Sequence, residues 1–392
     1  MRDLIRAHAA RVPEIAARLA RGGIVAGESP DDATLRRVPL LRKSALSALQ
    51  ATAPPWGGML ADGCAPTAAF LSPGHVVEPL VPRMVERLAA MLRDAGFGPA
   101  HTVLNGFSYH VTPAGLLFHE ALMQAGCRVL PGGPQNTATL VDYARALGAN
   151  AFVGIASHLK ILFEAEPALG IRLAMAGAEP NAERIRAALS ERHGVRCVDM
   201  YGFAEAGIVA VSCAAGALHL HADVVAEVLD PSSGAADSDA GGDPVEPGSA
   251  GELVVSLDNP GFPLLRFATG DWVRIDPTAC ACGRSGALHV LGRADLSVRV
   301  KGMLLHSSQL QAFMAAAGAD ACRVTVTRSD DRDRIAVAWR PGVAARTGPD
   351  EGAGASAVEA WFRDACRVRA DAIDIDPALG SGSCVLEDRR QA

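Results

Sequence analysis

The chain has 392 residues, with 37 Lys plus Arg against 43 Asp plus Glu and a formal net charge of −6. That length fills two or three domains and excludes a small stapled module, and an acidic balance excludes nucleic acid as the expected partner, since no basic field gathers a phosphate backbone. Hydrophobic residues at 49% and charged residues at 20% are the proportions of a folded chain rather than a disordered one.

The opening segment MRDLIRAHAARVPEIAARLARGG scatters arginines, Asp3 and Glu14 through a helical period. A secretory signal needs one uninterrupted apolar block, so the expectation is an amphipathic helix. No run approaches the roughly 18 to 20 apolar residues of a membrane helix, and a cytoplasmic protein without membrane contact is expected. Only Lys43, Lys160 and Lys301 are lysines; with the abundant alanine, this arginine-dominated usage points to a GC-rich bacterial genome. Nine cysteines without an export signal favour reduced thiols or a metal over a disulfide framework.

From Arg83 to Met200, helical-period pieces at 83–95, 113–125, 137–148, 157–165 and 181–192 alternate with apolar runs at Thr102–Leu104, Cys127–Leu130, Ala151–Ile155, Ile171–Met175 and Val195–Met200. That alternation predicts an α/β fold with a mainly parallel sheet. After Tyr201 the segments become β-rich, as at Gly251–Ser256 and Trp272–Ile275. Ser232–Ala250 and Pro341–Ala357 read as surface loops. Beyond a boundary at Arg293–Asp295, segments at Gln309–Ala317, Val324–Thr327, Ile335–Trp339 and Ala357–Cys366 form a small α+β unit. The domains expected are 1–292, a large α/β domain with mainly parallel sheets and a β-rich subdomain, and 293–392. No repeat of 20 to 50 residues is visible.

Three segments carry candidate chemistry. YGFAEAG, Tyr201 to Gly207, follows an apolar run, and a tight turn there puts side chains at the ligand-binding edge of the sheet. Taken alone it reads equally as a plain turn with a solvated Glu205. In PLLRFATGDW, Asp271 in a strand-edge turn is suited to accepting from two ribose hydroxyls, and in GRADLSVRVKG, Arg293 suits a phosphate. Cys213-x5-His219 and Cys280-x-Cys282 supply three thiolates and one imidazole in two clusters, the ligand set of a structural zinc. Against it stands the reading of reduced thiols with His219 simply alternating along a strand. Cys64, Cys127, Cys197, Cys322, Cys366 and Cys384 show no partner spacing and read as packing residues. His110 and His119 have no Ser/Asp partner pattern, and no G-x-G-x-x-G follows a strand.

In order and separation, YGFAEAG, RFATGDW and GRADLSVRVKG resemble the adenylate-forming superfamily, and within it the phenylacetate-coenzyme A ligase family, over nearly the whole chain. LLRKSALS, with Lys43 and Leu46, resembles that family's early K-x-x-L segment, and Gly177-Ala178-Glu179-Pro180 its adenine-contacting G-A/G-E-P. The resemblance implies that Gly177, Ala178, Glu179, Pro180, Tyr201 and Gly202 line the adenine and acyl pocket. Asp271 would bind ribose, Arg293 ribose or phosphate, and Glu205 would help hold magnesium. Asp295 would be the hinge of a mobile small domain. Phe107 and Tyr109 fall where the family builds its aryl pocket, and read equally as core aromatics. Some members also carry C…GLH and C-x-C-G-R segments, matched here by CAAGALH and CACGR.

Two segments depart from the family pattern. Where it reads S-S-G-T-T-G-K-P, this chain has Ser72-Pro73-Gly74-His75-Val76-Val77-Glu78-Pro79, losing both threonines and a glycine, and Glu78 is expected to repel phosphate. The tail, Ser381 to Arg390, holds no lysine, Arg389 and Arg390 stand late, and Lys301 is the last lysine. The leading expectation is an AMP-forming acid–thiol ligase acting on an aromatic or apolar carboxylic acid. It would use ATP, magnesium and coenzyme A, with a structural zinc, and a homodimer is compatible with it. The alternative is an adenylation-deficient homologue that binds nucleotide, acyl-adenylate or acyl-coenzyme A as sensor, carrier or partner subunit.

Overall fold

A computed structural model describes residues 8–24, 36–72, 75–179, 182–230, 242–293, 297–301, 303–330, 332–342, 355–380 and 384–390. The chain divides into two compact units, Met1–Ala294 and Asp295–Ala392.

In the first unit five strands pair in the order Arg128–Pro131, Thr102–Asn105, Ala151–Gly154, Leu173–Ala176, Arg196–Val198, every neighbour parallel. The three central strands are buried at every residue, which is why they read as unbroken apolar runs. Successive residues point to opposite faces: Val103 joins a core with Leu88 and Phe118, while Leu104 joins another with Phe152, Leu162 and Ile185. Helices Pro82–Asp94, Ala114–Gln124, Thr137–Ala146, Ala156–Ala165 and Glu183–His193 cover those faces, close to the expected pieces. The strand order reverses between Thr102–Asn105 and Ala151–Gly154, so the crevice at their carboxyl ends is the topological switch point where such sheets bind ligands.

The run Val195–Met200 is not one strand. Asp199 turns its carboxylate onto the Met200 amide at 2.8 Å, and its own amide donates to the Ser212 hydroxyl at 2.8 Å. Those local bonds end the parallel ladder at Val198, and Met200–Phe203 opens a second sheet. That sheet runs Asp243–Pro244, Val224–Asp230, Ala250–Leu257, Leu264–Asp276, Ala287–Arg293, Leu218–Leu220, Gly207–Ser212, Met200–Phe203, all antiparallel, with Leu41–Arg42 added in parallel to Leu264–Asp276. The rings of Phe203 and Phe267 stack at 5.5 Å and 9°, bringing those two strands face to face. A two-stranded hairpin, Ala68–Ser72 with Val76–Leu80, completes the strands among the described residues of the unit.

Among the described residues of the opening segment, a helix covers Pro13–Arg21, where Val12 is extended and Pro13 starts the helix. Part of the expected loop Ser232–Ala250 is strand, Asp243–Pro244 pairing with Asp230 and Leu229, while 231–241 lie outside the described residues, as do 343–354 of the second loop.

The second unit holds a hairpin, Ser297–Val300 with Met303–His306. It also holds a four-stranded sheet in the order Ala372–Ile375, Arg332–Pro341, Ala319–Ser329, Cys384–Asp388, and helices Ser307–Ala317 and Ala355–Cys366. Leu310, Phe313, Val324, Ile335 and Phe362 form its core. Arg390 is buried and pairs with Asp333 at 3.2 Å and with Asp388, so it is engaged within its own unit. Among the described residues no helix is long and apolar enough to cross a membrane.

Candidate functional site

Asp271 lies inside the long strand Leu264–Asp276, not in the turn expected for it. Its position comes from a bulge. Glu252 pairs with Trp272 but Val254 with Ala268, so Leu253 faces Thr269, Gly270 and Asp271 together, and Gly270 takes φ +71° to absorb the extra length. Thr269 Oγ1 donates to the Leu253 carbonyl at 2.9 Å and accepts from the Asp271 amide at 3.1 Å, fixing the bulge. The Asp271 carboxylate, 8% exposed, accepts from the Tyr201 hydroxyl at 2.6 Å.

Tyr201 likewise stands in a strand, Met200–Phe203, which turns back into Gly207–Ser212. A side chain at Gly202 would meet the Gly207 carbonyl at 2.3 Å, so the close approach of this hairpin accounts for the glycine without any ligand. Gly177 ends the strand Leu173–Ala176 with its amide donating to the Gly154 carbonyl at 3.2 Å, and Ala178 takes φ +60°, a strained value for a residue with a side chain. Glu179 accepts from the Ser157 amide at 3.0 Å, at the positive end of helix Ala156–Ala165. Pro180 and Asp295 lie outside the described residues. Arg293 stands opposite Asp271 in the strand register, and its side chain is outside the described residues.

Glu205 occupies the hairpin turn and is not solvated: it is 3% exposed and pairs with Lys43 Nζ at 2.8 Å. Lys43 starts helix Lys43–Thr52 directly after Leu41–Arg42, whose register with Phe267 and Ala268 carries the lysine towards the Thr269–Asp271 bulge. Arg87, fully buried, ties the turn down by donating to the Ala206 carbonyl at 3.1 Å, Asp223 at 2.8 Å and Asn259. Burial pushes the Asp223 carboxyl up, but His221 and Arg87 outweigh it and hold it at about 2.

Glu78 corrects an expectation. It lies on the strand Val76–Leu80, 1% exposed, with both carboxyl oxygens buried and without a hydrogen bond of good geometry. Burial pushes its carboxyl up to about 8, Glu205 adds to the rise, and Lys43 and Ser72 offset part of it. At neutral pH it is mostly protonated and turned inwards, so it places no anion towards a phosphate.

Asn105 ends the strand Thr102–Asn105 at the switch point, and Phe107 and Tyr109 follow it. Phe107 is a buried core ring stacked on Phe118 at 4.9 Å. The Tyr109 hydroxyl accepts from Asn105 Nδ2 at 2.7 Å and bonds His119 Nδ1 at 3.1 Å, so His119 has a partner that its sequence context did not reveal. Burial pushes that hydroxyl up to about 12.

Cys213, His219, Cys280 and Cys282 converge, their ligand atoms all within 4.8 Å of one another. The Cys213 and Cys280 sulfurs are 3.7 Å apart, and Cys282 Sγ is 3.4 Å from His219 Nε2. Bonds of about 2.3 Å to sulfur and 2.0 to 2.1 Å to nitrogen at tetrahedral angles give edges of roughly 3.8 and 3.5 Å, so the residues fit a zinc. Tight turns shape both clusters, with Gly216 N donating to Cys213 O and Gly283 N to Cys280 O. The Arg284 amide helps hold the Cys282 thiol down at about 7.

Arg87 and Asn105 have no signal in the sequence, whereas Lys43 stands out there only through the K-x-x-L segment and Glu78 only as an anion in the phosphate-loop segment. The scarcity of lysine and the strand alternation around Glu78 were the further signals available for those two.

No model of a known protein family matches the chain. Phenylacetate-coenzyme A ligases are its curated relatives. That of Thermus thermophilus is 28% identical over 246 residues, 59% of this chain and 54% of the relative. That of Pseudomonas putida is 27% identical over 238 residues, 57% and 52% of the two chains. The chain thus spans about half the length of the curated relatives it matches. Among solved structures, 2-hydroxyisobutyryl-CoA ligase in complex with 2-HIB-AMP and CoA superimposes with a TM-score of 0.79 at 17% identity, over 99% of this chain and 88% of that one. An amide bond synthetase from Marinactinospora thermotolerans gives 0.55 at 18% identity, over 75% and 62%. The chain is therefore similar in sequence to the phenylacetate-coenzyme A ligases and shares the fold of 2-hydroxyisobutyryl-CoA ligase, in line with the resemblance of its motifs.

Proposed function

We propose that the chain is an AMP-forming acid–thiol ligase that activates an aromatic or other apolar carboxylic acid. A carboxylate oxygen of the acid attacks the α-phosphorus of ATP, and pyrophosphate leaves. The thiol of coenzyme A then attacks the acyl carbon, and AMP leaves with the bond to oxygen. The observation that carries this reading is the Tyr201–Asp271 hydrogen bond at 2.6 Å, which joins two motifs 70 positions apart into one polar platform. Asp271 would bind ribose, Gly177, Ala178, Glu179, Pro180, Tyr201 and Gly202 the adenine side, and Arg293 ribose or phosphate. Phe107 and Tyr109, at the switch point, would line the acid pocket. The structural neighbour 2-hydroxyisobutyryl-CoA ligase, in complex with 2-HIB-AMP and CoA, supports the same reading.

Residues 1–292 would form the adenylating domain, 293–392 the small domain, with Asp295 as hinge. Cys213, His219, Cys280 and Cys282 would hold zinc, which supplies a cross-link between the 213–219 hairpin and the 280–284 turn. Burial of Glu78 removes one electrostatic objection to adenylation. Magnesium on Glu205 fits less well, since that carboxylate is buried and already paired with Lys43.

The test is acid-dependent exchange of pyrophosphate into ATP, run with thioester formation over a panel of aryl and aliphatic acids. Exchange with at least one apolar acid is expected. Absence of both exchange and thioester formation, including from a chemically made acyl-adenylate, would refute the assignment.

A further inference from the structure

We propose that the ammonium of Lys43 takes, on Glu205, the place a divalent cation would take, so that this chain binds nucleotide without a metal ion at Glu205. The inference rests on the nucleotide site proposed above.

Both ends of the Lys43–Glu205 pair are anchored. Arg42, the preceding residue, is gripped bidentately by Glu252 at 2.9 and 3.1 Å, and its strand is in register with Phe267 and Ala268. Glu205 is held by its hairpin turn, whose Ala206 carbonyl accepts from buried Arg87 at 3.1 Å. The two side chains therefore meet at 2.8 Å without ordering a flexible segment.

The lysine side chain is 23% exposed and the glutamate 3%, so the cation is the outward partner. Magnesium keeps a near-octahedral shell and gives up its waters reluctantly. A carboxylate so buried, already paired at 2.8 Å, offers no edge to that shell. The contact with Glu205 is an ion pair at 2.8 Å without hydrogen-bond geometry, and an ammonium has three donors, which suits it to phosphate oxygens as well. Behind the pair, Glu78 has both oxygens buried without a hydrogen bond. Removing Lys43 would take from Glu205 the cation it pairs with and leave that carboxylate open to another cation.

The probe is Mn2+ titrated into the full chain with AMP present and followed by electron paramagnetic resonance, beside calorimetric titrations of AMP and ATP in EDTA and in excess magnesium. The wild type is expected to show no Mn2+ site at Glu205, and its affinity for ATP should change by no more than about threefold on adding EDTA. Lys43→Met should create a Mn2+ site that the further change Glu205→Gln removes; Lys43→Gln serves if the first variant does not fold. A Mn2+ site in the wild type that Glu205→Gln abolishes would overturn the proposal. So would a tenfold or greater loss of ATP affinity in EDTA, or a folded Lys43 variant that gains no site. Failure of AMP and ATP to bind in any buffer would sink the nucleotide reading instead, with the Mn2+ titrations still deciding the role of Lys43.

Discussion

Replacing Glu78 by Gln is expected to stabilise the protein at neutral pH. An ordinary carboxyl of this type titrates at 4.5, and Glu78 in the folded chain is pushed to about 8, chiefly by burial. The folded state therefore keeps a proton that the unfolded state has already released. Below pH 4.5 both states hold it and the residue costs nothing; as pH rises towards 8 the cost grows, and above 8 it levels off. At pH 7 the difference of about 2.5 pH units corresponds to roughly 3 kcal/mol. Glutamine has nearly the same shape and no charge to release, so it removes this term. Urea unfolding at pH 5, 7 and 8.5 should show the variant ahead by an amount that grows with pH. A variant less stable than the wild type at pH 7, or a difference that does not change with pH, would refute the reasoning. It would mean that Glu78 is ionised and held by Lys43.

AMP at about 100 times its dissociation constant should stabilise the chain by about 2.7 kcal/mol, and Asp271→Ala should abolish the shift in a thermal melt. Inductively coupled plasma analysis should find about one zinc per chain, and Cys280→Ser should lower both the zinc content and the melting temperature; metal-free protein of unchanged stability would dismiss the site. Arg87→Met removes a fully buried cation from Asp223 and the Ala206 carbonyl, and should cost about 3 to 5 kcal/mol in urea unfolding. A loss below 1 kcal/mol would show that water or a neighbour replaces it.

What the sequence made legible was local. The central strands announce themselves because they are buried on both faces, and the Cys/His cluster because its members fall in two short segments, 213–219 and 280–282. The place of Asp271 did not show, because the bulge that sets it depends on the register of Glu252 and Val254 in another strand. The segment of Tyr201 reads as a turn because nothing in it reveals that Asp199 ends one sheet and begins another. Glu78 was legible in part: on a strand where Val76 and Leu80 face inwards, alternation puts Glu78 inwards too. The likeness of 72–79 to a phosphate loop does not carry that inward direction. The pairing of Lys43 with Glu205 is a property of neither segment alone, and only the packing of the second sheet brings it about.

Gln50 lies in the helix that begins at Lys43. Gln50 donates to the Val77 carbonyl at 2.7 Å and accepts from the Val77 amide at 2.7 Å, giving that residue both bonds a neighbouring strand would give. The hairpin 68–80 has only two strands, and such ribbons are marginal and offer their open edges to other chains. A single amide therefore acts as a one-residue strand that blocks association along this edge. Exchanging Gln50 for a residue of the same size without an amide would be felt first as aggregation during refolding, before any loss of native structure at equilibrium.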